Sequence, residues 1–150
     1  MCLITEKLPE ILKEDLIVYK LLKDDLTSIF KGYRYTLGVT YGKQELIADV
    51  ESEYFFADSE VSRYYSNNED PEYVRMYLSR FNLHGYARGY HFYTTKERAR
   101  KSIYNCYSLV ECIVPKGSTV VYDSTGLGVA SQIKITKNLQ DEKYENTYQK

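Results

Sequence analysis

Residues 84 to 104, HGYARGYHFYTTKERARKSIY, hold both histidines of the chain, four tyrosines and five basic residues. That density of reactive types invites a search for chemistry. His91 lies between aromatics, with Arg88 just upstream. A histidine so placed is either a hydrogen-bonded structural residue or a base or ligand contact at a cleft. Cys106 or Cys112 with His84 or His91 would supply a thiol and a base, the pair a nucleophilic mechanism needs. Both cysteines fall at positions expected to face inward, where a thiol is a small hydrophobe. The carboxylates between Glu51 and Asp70 lack the D-x-D-x-D-G spacing of a calcium loop. A Walker phosphate loop, a three-glycine dinucleotide fingerprint and a G-x-S-x-G elbow are all absent from the sequence. Two histidines and three scattered cysteines (Cys2, Cys106, Cys112) match no metal-ligand spacing, so no metal is expected.

Charge is segregated along the chain. Residues 45 to 72 carry nine acidic side chains against Arg63, whereas residues 73 to 116 carry eight basic ones against Glu97 and Glu111. Tyrosine is abundant, 17 residues with no tryptophan, and it suits both half-buried strands and binding surfaces. The acidic segment combines the two features. Glu51, Glu53, Tyr54, Asp58, Glu60, Tyr64 and Tyr65 are therefore the candidate contact for a basic partner protein, with electrostatics raising the on-rate.

The elements that must position these residues follow from pattern. Pro9 opens a short helical turn over 10–13. Residues 15–23, DLIVYKLLK, read as a strand buried on both faces in mid-sheet. Two β-rich pieces over 33–37 and 39–50 follow, with Gly42-Lys43 as a hairpin tip. Residues 51–70 form a surface loop, and Pro71 starts a helix to Phe81. Residues 89–93 form a strand. Thr94 or Thr95 caps a helix to Tyr104 whose inward face is Ala99, Ile103 and Cys106. Strands follow over 109–114, 118–122 and 129–136, the last alternating without a break. The expected class is α+β: a mostly antiparallel twisted sheet with two or three helices. One domain covers 1–136, and 137–150 is a polar, frayed tail.

At 150 residues, 43% apolar and 27% charged, the composition is that of one soluble globular domain. No apolar run approaches the roughly 20 residues of a membrane span. The charged N-terminus lacks a signal-peptide core, so a cytoplasmic location and reduced thiols are expected.

The order IVYKLLK, GYHFYTTKERA, CIVPKG and VASQIKI, with MCLI at the start, resembles small uncharacterised proteins of phages and mobile elements of gut bacteria, over residues 1 to about 136. That resemblance implies an origin and no biochemical role. A more distant likeness is to the ADP-ribosyltransferase fold. Tyr19-Lys20 matches its first strand, residues 87–94 (ARGYHFYT) its second, Ala99 its helix and Ser131-Gln132-Ile133 its late strand. The likeness implies a cleft for NAD, ADP-ribose or a similar nucleotide, lined by Tyr19, Lys20, Arg88, His91, Tyr93 and Gln132. Lys20 stands where such proteins grip the nucleotide with arginine or histidine, and Gln132 where they carry a catalytic glutamate. A neutral amide does not stabilise an oxocarbenium-like centre as a carboxylate does. Three functions are thus weighed: binding a host protein, binding a nucleotide, and binding RNA or single-stranded DNA along the basic, tyrosine-bearing stretch 88–101. A pI near 6.1 argues against the last. Without a catalytic constellation, binding is expected rather than catalysis.

Overall fold

The computed structural model describes residues 3–29, 32–42, 80, 82–86, 89–102, 104 and 106–139. Its strands are β1 (Leu3–Thr5), β2 (Glu10–Ile11), β3 (Leu16–Leu22), β4 (Thr40–Tyr41), β5 (His84–Tyr86), β6 (Tyr90–Tyr93), β7 (Ser108–Val114), β8 (Thr119–Tyr122), β9 (Leu127–Ala130) and β10 (Ile133–Asn138), with one helix, α1 (Lys96–Arg100), between β6 and β7. Eight strands form an antiparallel sheet in the order β2-β8-β9-β6-β3-β7-β10-β4, and β1 pairs with β5 separately.

The α+β expectation is corrected by these elements: the fold is β-rich, with one short helix among the described residues. Two of the expected helical segments show why. The helical turn expected over 10–13 is strand β2, laddered to Val120 and Thr119; a lone turn cannot recover the cost of helix nucleation, whereas pairing can. The helix expected to reach Tyr104 is capped as anticipated, with the Thr95 hydroxyl accepting from Arg98 N–H at 3.1 Å. It ends at Arg100, and Cys106 is exposed instead of facing inward. The helix expected over 71–81 lies, apart from Arg80, outside the described residues, as does the 51–70 loop.

The strand expected over 129–136 is also broken, and the break shapes the fold. Ser131 and Gln132 join β9 to β10, yet β6, β3 and β7 lie between those two strands in the sheet. Four strand spacings measure about 19 Å along a flat sheet. Two linking residues reach at most about 11 Å. The sheet must therefore fold over on itself, with β2-β8-β9-β6 as one half and β3-β7-β10-β4 as the other.

The core fills the inside of that fold. Tyr90 and Phe92 of β6, Val120 of β8 and Ala130 of β9 meet Val18 and Leu22 of β3, Val110, Cys112 and Val114 of β7, and Ile133 and Ile135 of β10. Alternation places these residues inward, their neighbours outward. Gly128 is the close-approach position: a Cβ there would stand 2.3 Å from the Phe92 ring. The outer surface is covered in two places. Ala99 of α1, with Leu21, Tyr93, Leu109 and Leu139, caps one half. Leu3 and Tyr86 of the β1–β5 pair cover Val121 and Val129 on the other. Leu139 is 4% exposed, so packing extends past residue 136, where a polar tail was expected to begin.

Candidate functional site

The two halves of the sheet meet at the β3–β6 boundary, and the pairing there is thin. On its β7 side, β3 is matched residue by residue from Leu16↔Val114 to Leu22↔Ser108. On its β6 side the single registered pair is Tyr19↔Tyr93. Lys20 fills part of the gap. Its Nζ donates to the His91 carbonyl and lies 5.8 Å from the Tyr35 ring centroid. The ammonium thus stands in for a backbone donor where the strands diverge. Burial of that ammonium pulls its pKa down to about 8.

The other reactive groups are similarly occupied. Burial holds the His91 pKa down to about 3, with the Lys20 charge acting in the same direction, so the ring is neutral at pH 7. Its Nε2 lies 3.1 Å from the Tyr86 carbonyl. A carbonyl only accepts, so Nε2 carries the proton. Cys112 is 0% exposed, and burial pushes its thiol up to about 12, which keeps it protonated. Tyr35 is shifted upward by burial as well.

The residues proposed for a nucleotide fall in three places. Lys20 follows Val18 and precedes Leu22 on the inward face of β3. Tyr19 and Tyr93 pair on the outer face, packed with Ala99 and Leu21. His91 shares the outward side of β6 with Tyr93, by alternation. Gln132 lies in the β9–β10 link, where its Nε2 donates to Ser118 Oγ at 3.3 Å and its side chain abuts Gly42. By register this is the Leu16 end of the sheet half, four residues along β3 from Lys20. Arg88 lies outside the described residues, as do Glu51, Glu53, Tyr54, Asp58, Glu60, Tyr64 and Tyr65. The structure brings Tyr19 to Tyr93 and the Lys20 ammonium to the His91 carbonyl, and does not bring Gln132 to Lys20.

No protein-family model, curated protein or solved structure matches this chain.

The outer face holds a feature that sequence reasoning missed. Ile17, in the middle of the sheet, is 53% exposed, although its strand was expected to be buried on both faces. It pairs directly with the half-buried Ile113. Beside it runs a shallow groove of about 310 Å³ lined by Ile17, Tyr19, Thr94, Thr95, Lys96 and Glu97. The groove exists because β6 stops at Tyr93 and the chain departs: Thr94 N–H donates to the Gly126 carbonyl at 2.9 Å, and Thr95 then caps α1. Lys96 Nζ stands 6.0 Å from the Tyr19 ring centroid, and Glu111 lies opposite Tyr19 on β7. The floor is apolar and the rim carries both charges. One sequence cue pointed here. The alternation that sends Cys112 inward sends Glu111 outward, so this face of β7 meets water and the facing residues of β3 need not be covered.

Among the described residues no group of three or more histidine, cysteine or carboxylate side chains could hold a metal, and no helix is long and apolar enough to cross a membrane.

Proposed function

We propose that the protein acts by binding another protein, with the Ile17–Tyr19 groove as the apolar anchor and the acidic, tyrosine-bearing segment from Glu51 to Tyr65 drawing in a basic partner. One observation carries the reading: a large aliphatic side chain in a central strand is 53% exposed beside a half-buried tyrosine. Aromatic and aliphatic anchors in a depression, rimmed by charge, are what interface hot spots are made of. The state of the interior groups supports the same reading. Lys20 is bonded to a carbonyl, His91 is neutral with its Nε2 proton committed, and Cys112 is a buried thiol. Nine acidic residues against one basic over 45–72 supply long-range attraction.

The test is a quantitative capture from host-cell extract, comparing the wild type with Ile17→Lys and with a variant reversing Glu51, Glu53, Asp58 and Glu60. A partner held by the wild type, lost from Ile17→Lys and weakened by the reversals at unchanged melting temperature is the expected result. Equal capture by all three proteins refutes it. The nucleotide alternative is read in parallel by melting the protein with NAD or ADP-ribose. Saturation near 100 times the dissociation constant would add about 2.7 kcal/mol, and the protein-binding reading expects no shift.

A further inference from the structure

The groove reading leaves open how a partner is recognised, and the backbone of β3 supplies an answer that rests on that reading. An unpaired strand edge is a template for another strand, and proteins usually blunt such edges. Among the described residues the outermost strands of this sheet, β2 and β4, have two residues each, which blunts them by length. The inner boundary is treated differently along its course. Towards Leu22, the Lys20 ammonium occupies the gap by bonding the His91 carbonyl. Towards Leu16, nothing comparable is present: among the described residues no strand pairs with Leu16–Val18 on the side away from β7. The same stretch carries the exposed Ile17 and opens into the groove.

We propose that this notch accepts a short extended segment of a partner protein by strand addition beside Leu16–Val18. Main-chain hydrogen bonds would go to the open side of β3, and alternate side chains of the segment would rest on Ile17 and Tyr19. Three residues span about 10 Å, so the segment is three or four residues long. Its chemistry follows from the walls. A β-branched aliphatic residue suits Ile17, and flanking charges of both signs suit Lys96, Glu97 and Glu111.

The test uses isotope-labelled full-length protein and a capped hexapeptide with two alternate valines, alanine between them, and lysine and glutamate flanking them at the two ends. Two further peptides carry backbone N-methyl groups on one or the other set of alternate residues, and a fourth replaces the valines by aspartate. The expected result is that the parent peptide moves the amide resonances of Leu16–Val18 and slows their exchange roughly tenfold or more. One N-methylated peptide and the aspartate peptide should do neither. If both N-methylated peptides bind as well as the parent, strand addition is wrong and the groove reads side chains only. If no peptide acts while Ile17→Lys still abolishes partner capture, strand addition again fails and the groove reading stands. If capture is also indifferent to Ile17→Lys, both fall.

Discussion

The two sides of β3 are built from the same seven residues and behave as opposites. Towards β7 the ladder is continuous from Leu16 to Leu22. Towards β6 it is one pair, a lysine reaching across to a carbonyl, and an apolar side chain in water. Burial divides the strand by face instead of by edge: Val18 and Leu22, facing the core, are at most 1% exposed, whereas Ile17, facing outward, is 53% exposed. A continuous ladder with a filled core behind it is what stability requires. The thin boundary follows from folding one sheet into two facing halves, and it leaves the place where a partner can be met.

The largest expected effect tests the closed side. Leu22→Ala removes a side chain that is 1% exposed in the main core and should cost about 2–5 kcal/mol. Each kcal/mol lowers the melting temperature by roughly 2–4 °C at this size. A loss below about 1 kcal/mol would mean that the core does not hold the halves as described.

A second effect tests the boundary itself through pH. His91 is held near 3 in the folded protein and should titrate near 6.5 when unfolded. The unfolded chain therefore takes up the proton first. The contribution is complete above about pH 6.5 and is lost as pH falls towards 3, by up to about 1.4 kcal/mol per pH unit. A His91→Gln variant should show a flatter acid limb in denaturant titrations. An identical limb would place the His91 ring in water.

The smallest effect tests the open side. Ile17→Ala should change stability by no more than about 0.5 kcal/mol while weakening partner capture. A loss resembling that of Leu22→Ala would show that Ile17 is buried and the groove closed.

Much of this was legible in the sequence, and the failures share a cause. The alternation of β7, the short β6 strand, the Thr95 cap and the turn at Pro115–Gly117 are local patterns, and all stand in the structure. Residues 15–23 were expected to be covered on both faces because apolar residues occupy both. The outward set, Ile17, Tyr19 and Leu21, is covered only where α1 reaches it, at Leu21 and partly at Tyr19. How far a five-residue helix extends over a sheet is a tertiary fact. The break at Ser131–Gln132 was hidden similarly, because alternation continues through a link that changes sheet halves. For Glu10–Ile11, pairing with β8 decided the outcome over a local preference for a helical turn. Gathering Lys20 and Gln132 into one cleft required an order of strands that residue spacing does not carry.

The central claim is that β3 is closed on one side and open on the other at Ile17, and amide hydrogen exchange along this strand in the free protein tests it most directly. The account predicts slow exchange for amides of β3 that face β7, and exchange faster by orders of magnitude for any amide of Leu16–Val18 that faces the groove. Uniform protection from Leu16 to Leu22 would contradict it, because every backbone donor of β3 would then have a partner and no notch would remain to be filled.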